Sequence, residues 1–176
     1  DNLPFNYGLG RTSLREGDID RQLIERSAEQ DALAIVTIGR SNGEGLDRHA
    51  FDDFFWTREE AMLLEGVSQA FHAQGKRVVV VLNVSGAIEV ERLKQWADAV
   101  ICCWLPGQEG GNAVTDVLTG RENPSGKLAM TLPISYFDCN TYDNFPYDYT
   151  GPVAMGKYPL TPRPERKNVH YINYEE

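Results

Sequence analysis

The sequence predicts an α/β protein: a three-layer αβα sandwich on a mainly parallel, doubly wound sheet, followed by an irregular tail rich in aromatic residues and proline. Three observations carry this. Apolar, β-type runs alternate with stretches of helical spacing in the order α-β-α-β-α-β-α-β. The runs Leu33–Ile38 and Arg77–Leu82 are continuous in Val, Ile and Leu rather than alternating with polar residues, which is the pattern of strands covered on both faces and joined by right-handed crossovers. The pattern then stops: six of the nine prolines and seven of the eight tyrosines fall between Pro133 and Glu176. The chain divides accordingly into a sandwich domain over 1–132 and a tail over 133–176, whose aromatic content suits it to lie over a surface.

Each element has a local cause. Asp18 is the expected N-cap of a helix over about 19–29, with Ile19 and Leu23 on one face. Leu33–Ile38 is the first strand, and Gly39 to Trp56 a long polar loop. Thr57 and Glu60 have capping-box spacing, and behind them Leu63, Val67, Ala70 and Phe71 recur at helical spacing up to a glycine stop at Gly75. Arg77–Leu82 is the second strand, a short helix is expected around 87–96, and Asp98–Trp104 is the third strand. The turn Pro106–Gly111 leads into a helix over 111–119 closed by Gly120. After the turn Asn123–Gly126, Leu128 to Leu132 is a candidate fourth strand.

Composition removes several functions. The 176 residues are 41% hydrophobic and 24% charged, the balance of an ordinary globular protein. Seventeen Lys and Arg against 26 Asp and Glu leave a charge of −9, without the basic footprint that a phosphate backbone requires, so no nucleic acid partner is expected. No apolar run approaches the ~20 residues of a membrane span, and no membrane partner is expected. The first residues lack the basic-then-apolar pattern of a signal peptide, and the compartment stays open. Cys102 and Cys103 read as small buried hydrophobes, while Cys139 sits in the polar tail. His49, His72 and His170 have no ligand spacing, so no metal is expected; His72 reads as a helix-surface residue. The dinucleotide fingerprint, the phosphate loop and the serine nucleophile elbow are all absent, and no cofactor is expected. Asn83-Val-Ser85 has the letters of a glycosylation sequon but abuts a core strand.

In an open parallel sheet, ligands gather outside the carboxyl ends of the strands. Three polar loops fall there: Gly39–Asp47, Asn83–Gly86 and Pro106–Gly111. The first sets Glu44 between Gly43 and Gly45, directly after a strand. Such a tip can present a carboxylate for general acid–base work, although a solvated turn is the commoner meaning of these residues alone. Asp47 and Arg48 can pair with each other or hydrogen-bond a polar ligand, the surface pair being the commoner outcome. Phe51, Phe54, Phe55 and Trp56 suit packing more often than sugar stacking. Glu109 opens a helix, where a structural role is the usual one, and is the second carboxylate candidate.

Four blocks in order carry a resemblance. Gly39-Arg-Ser-Asn-Gly-Glu-Gly-Leu-Asp-Arg48 with Asn83, then Trp104-Leu-Pro-Gly-Gln-Glu-Gly-Gly-Asn-Ala-Val114, then Asp116-Val-Leu-x-Gly120, then Asn123-Pro-Ser-Gly-Lys-Leu128 with Thr131-Leu-Pro133, resemble the second domain of family 3 glycoside hydrolases, chiefly β-glucosidases. The resemblance covers about residues 30–133, and the tail is similar to the stretch before that family's fibronectin-like domain. It implies a retaining β-glycosidase acting on a β-glucoside or oligosaccharide. An N-terminal (β/α)8 barrel supplies the Asp nucleophile, and this domain the acid/base. Glu44 matches that acid/base, and Asp47 and Arg48 match positions near the substrate. Asn42 replaces the family's usual Ser and Ala129 its usual Pro, and these residues contain no barrel. The resemblance therefore implies a chain that folds but turns nothing over alone. The competing reading is a non-catalytic, flavodoxin-like module that holds a small polar ligand or docks to a protein.

Overall fold

Asp20 starts the first helix of the computed structural model, which describes residues 17–40 and 50–138. Its carboxylate accepts the Leu23 N–H at 3.1 Å and α1 (Arg21–Gln30) follows. The cap thus lies two residues past the expected Asp18; both aspartates carry the needed acceptor, and spacing alone does not choose between them. Next come β1 (Leu33–Arg40), a π-helical turn Ala50–Phe54, α2 (Arg58–Ala73) and β2 (Arg77–Val84). The single turn α3 (Leu93–Trp96), β3 (Ala99–Cys102), α4 (Gly110–Leu118) and a 3-10 turn Tyr136–Asp138 complete the described elements.

The three strands form a parallel sheet in the order β1-β2-β3, with Ile38 opposite Leu82 and Leu82 opposite Cys102. The α/β class with its parallel sheet is as the sequence predicts. Alternation along β1 separates two faces. Ala34 and Ile38 are buried with Val78, Val80, Leu82 and Val84 under Ala28 of α1, Leu64, Val67 and Phe71 of α2, and Leu93 and Trp96 of α3. On the opposite face Val81 is buried, while Leu33 and Ile35 are exposed.

The start of α2 is the capping box expected from Thr57 and Glu60. Thr57 Oγ1 accepts the Glu60 N–H at 3.1 Å, and Glu60 Oε2 accepts the Thr57 N–H at 2.9 Å. Gly75, at φ +68°, follows the helix end in the left-handed conformation that glycine adopts without strain.

Three further expectations need correction. The helix over 87–96 shrinks to the single turn α3, because the Glu89 N–H is taken laterally by the Phe54 carbonyl at 2.9 Å instead of by a preceding turn. Leu128–Leu132 forms no strand: Leu128 and Met130 are exposed, and no described strand lies beyond β3 to pair with them. An apolar run becomes a strand only where a ladder partner is available. The third strand is also short, ending at Cys102, and Cys102 and the neighbouring Cys103 are half-buried rather than fully buried. Cys103 still donates its N–H to Leu82 O at 2.9 Å, but Trp104 turns the backbone away at φ +50°.

At the amino end of the sheet, Asp98 joins three elements. Its Oδ2 accepts the Val78 N–H at 2.8 Å and faces His72 Nε2 at 2.9 Å, and its Oδ1 accepts from Arg77 Nη1 at 2.7 Å. These donors, the Val78 amide first and then His72 and Arg77, hold the Asp98 carboxyl well below the usual carboxylate range. A folded-state pKa below the unfolded one contributes stability above the unfolded value, and this is lost as the pH falls toward the folded value. Asp98→Asn is therefore expected to unfold at lower urea than wild type at neutral pH, with the gap narrowing as the pH is taken to about 3. A gap that does not change with pH would remove the charged role assigned to Asp98.

Candidate active site at the carboxyl edge of the sheet

β1 ends in a charge. Arg40 has Val84 as its register mate on the covered face and is 4% exposed. A buried guanidinium is tolerable only with its hydrogen bonds filled and a counter-charge in contact. The fork meets the Glu60 carboxylate side-on, Nη1 to Oε1 and Nη2 to Oε2. Its remaining reach is used on backbone: Nε donates to Asp53 O at 3.0 Å and Nη1 to Gly39 O at 3.2 Å. Glu60 is 1% exposed. Its carboxylate thus serves both the capping box and the ion pair, and the last residue of β1, the turn Ala50–Phe54 and the start of α2 become one hydrogen-bonded unit.

The chain leaving β2 is fastened to the same unit. Ser85 donates its N–H to Arg40 O at 3.2 Å, and Glu89 donates its N–H to Phe54 O at 2.9 Å. The Glu89 carboxyl is itself buried, which pushes its pKa up; the Arg92 charge and a hydrogen bond from the Trp56 backbone N–H oppose the rise. Arg92 lies over the Trp96 ring, 4.4 Å from its centroid, and Trp56 meets Trp96 edge-on at 6.0 Å.

β2 and β3 close the edge through Asn83. Its Nδ2 donates to Trp104 O at 2.9 Å, so the amide of the would-be sequon is engaged within the fold. Cys103 Sγ donates to Leu82 O at 3.1 Å, and burial pushes the Cys102 thiol up. Glu109 stands at the N-cap of α4, but its side chain caps no helix N–H; it is exposed and accepts from Asn112 Nδ2 at 2.7 Å.

Glu44, Asp47 and Arg48 lie outside the described residues, which stop at Arg40 and resume at Ala50. What the structure supplies is the two stems of their loop, both at the carboxyl edge of the sheet. Of the loop aromatics, Phe54 and Trp56 are buried and pack, as expected, while Phe51 is 72% exposed. Phe51 and Phe55 lie 6.0 Å apart by ring centroid, and Phe137 lies 6.3 Å from each. Phe137, in the 3-10 turn Tyr136–Asp138, thus packs against Phe51 and Phe55 at this edge. The rest of the tail, with Cys139, is outside the described residues. Sequence reasoning missed Arg40, Asp53 and Glu60 as a unit. The signals were an arginine closing an apolar strand and a capping-box glutamate on the apolar side of its helix.

The profile of the glycosyl hydrolase family 3 C-terminal domain matches residues 15–174. This chain belongs to that family. Among solved structures it is similar to β-glucosidase 3B from Thermotoga neapolitana in complex with glucose, at 40% identity and a TM-score of 0.72, over 76% of this chain and 19% of that one. Among curated relatives it is 36% identical over 146 residues to an exo-α-(1→6)-L-arabinopyranosidase of Bifidobacterium breve, covering 78% of this chain and 18% of the relative. It is 27% identical over 182 residues to β-glucosidase A of Butyrivibrio fibrisolvens, covering 86% and 21% respectively. The chain thus spans roughly a fifth of the length of these larger glycosidases.

The ion pair makes a stability prediction. Arg40→Met or Glu60→Leu alone leaves one buried charge without its partner and should cost about 3–5 kcal/mol in urea unfolding. The double variant should cost much less than the sum of the two. Additive losses would show that the two side chains do not act as a pair.

Proposed function

We propose that this domain supplies the general acid/base, Glu44, to a retaining β-glycosidase that hydrolyses terminal β-linked glucosyl residues. The nucleophilic Asp comes from a (β/α)8 barrel elsewhere in the same polypeptide. One observation supports the reading: in a family 3 C-terminal domain, the sequence Gly43-Glu44-Gly45 follows directly on the carboxyl end of β1. That is where an open parallel sheet presents its ligand-facing groups.

The chemistry follows from two carboxylates. The Asp attacks the anomeric carbon while protonated Glu44 gives its proton to the departing oxygen. Glu44 then takes a proton from water as the glycosyl–enzyme bond is hydrolysed. The two groups must stand about 5–5.5 Å apart. Glu44 needs a raised pKa to arrive protonated, and a neighbouring carboxylate charge and partial burial both raise it. In the isolated chain neither influence comes from a second domain. Asp47 and Arg48 hydrogen-bond the substrate hydroxyls in this reading. Glu109 has no part in it, being exposed and engaged with Asn112.

The choice of sugar rests on the glucose-bound relative at 40% identity, while the arabinopyranosidase at 36% shows that related domains serve enzymes of other specificity. The aromatic patch at the same edge, with Phe51 and Phe137 exposed and Phe55 half-buried, suits docking onto the barrel, with a fibronectin-like domain following the tail. That patch also favours a second reading, a non-catalytic flavodoxin-like module that binds a protein or a small polar ligand. Calorimetry of the isolated chain with glucose and cellobiose separates the two, because tight binding by the chain alone fits only the module.

In the full-length polypeptide, Glu44→Ala should lower turnover of an aryl β-glucoside by about 10²–10⁴-fold. Azide should restore part of it on substrates with good leaving groups. Loss without rescue would count against the acid/base role. The isolated 176-residue chain should fold and show no turnover.

A further inference from the structure

The loop that carries Glu44 leaves the described fold at Arg40 and returns at Ala50. Both of its stems are held by one side chain. The backbone of Arg40 is the outgoing stem, and its guanidinium Nε holds Asp53 O, in the turn of the returning stem, at 3.0 Å. The fork is itself clamped by Glu60, whose position is set by the start of α2 through the Thr57 N–H. Two further hydrogen bonds, Ser85 N–H to Arg40 O and Glu89 N–H to Phe54 O, tie the same stems to the chain leaving β2. We propose that Arg40, clamped by Glu60, is a positioning residue for the loop: it sets where Glu44 stands without touching the substrate. This rests on the acid/base reading of Glu44 given above.

A general acid must come within hydrogen-bond reach of the atom it protonates, and an error of about 1 Å in placement can cost ~10²-fold in rate. A chain segment can reach only as far as its two ends allow, so holding Arg40 and the Asp53 turn together bounds where the residues between them can stand. A bidentate guanidinium–carboxylate pair fixes distance and orientation together, and its third donor here reaches backbone. A lysine ammonium keeps the charge but lacks the fork, so it cannot hold Glu60 and the Asp53 carbonyl in one plane. The pair is also an expensive way to gain stability, since a buried ion pair is often no better than apolar residues of the same volume. A role in geometry accounts for it more directly.

The test compares Arg40→Lys, Glu60→Gln, Glu44→Ala and Asp98→Asn in the full-length polypeptide, on phenyl and 2,4-dinitrophenyl β-glucosides, with and without azide. Phenolate leaves only with proton assistance, whereas dinitrophenolate leaves without it. A misplaced Glu44 therefore lowers kcat/KM by about 10–100-fold on the phenyl glucoside and by less than about 3-fold on the dinitrophenyl one. On the latter, kcat falls because base assistance to water is lost, and azide raises it. Arg40→Lys and Glu60→Gln should show this pattern, weaker than Glu44→Ala. Asp98→Asn, at the opposite edge of the sheet, should be destabilised without any dependence on the leaving group. If the single variants do not fold, Arg40→Gln combined with Glu60→Gln leaves no unpaired charge and reads the same pattern. Equal losses on both substrates with no azide effect, while Glu44→Ala shows both signatures, would overturn the positioning role and leave the acid/base reading standing. If Glu44→Ala itself lacks both signatures, the acid/base reading falls first and the positioning role goes with it.

Discussion

A guanidinium and a carboxylate, both removed from water, meet where β1 runs out: Arg40 is 4% and Glu60 1% exposed. Two isolated charges at that depth would be prohibitively costly, so the surrounding chain has to supply a donor or acceptor wherever the pair leaves one open. It does so with the Asp53 and Gly39 carbonyls on one side and the Thr57 N–H on the other. The requirement runs in both directions. The pair needs these backbone groups in place, and these groups have few other positions once the pair is buried. The end of a strand, a turn and the start of a helix are therefore held together by charge geometry in addition to the apolar burial of Phe54 and Trp56.

The two ends of the sheet use the same device for different purposes. At the amino end, Asp98 gathers Val78, Arg77 and His72, closing the end of α2 against the starts of β2 and β3. That cluster is partly exposed and joins elements that are already adjacent in the fold. At the carboxyl end, Arg40 spans thirteen residues to Asp53 and twenty to Glu60, across the loop that carries the candidate chemistry. Between the two ends lies an apolar slab of β1 and β2 under α1, α2 and α3. A packed slab with a reactive group beyond the carboxyl ends of its strands is how many α/β proteins combine stability with chemistry.

Membership in the family 3 C-terminal domain gives the surface features a context. Exposed Phe51 and Phe137 with half-buried Phe55 form an aromatic edge on the same side as the Glu44 stems, and the 3-10 turn Tyr136–Asp138 brings the start of the tail there. Phe54 underneath is buried and meets Phe55 and Tyr136 edge-on at 5.1 and 5.7 Å. The patch is thus anchored from below and apolar above, the arrangement expected of a surface that meets another surface.

Local rules determined much of this chain. The capping box of Thr57 and Glu60, the glycine stop at Gly75 and the valine run of β2 follow from residue types at short spacing, and each is present as read. The order of the motif blocks was equally legible, because family resemblance is written in the sequence itself. What needed the tertiary structure was every choice between local options of similar merit. Asp18 and Asp20 are equivalent caps until the helix is placed. Leu128–Leu132 has strand-like residues but meets no strand among the described residues, and 87–96 loses most of its helix because the Glu89 amide finds the Phe54 carbonyl first. The Arg40–Glu60 pair is the clearest case. A partner twenty residues away, chosen because both groups are buried and each leaves the other no alternative, has no short-range signature, since Coulomb attraction and desolvation act through space and not along the chain.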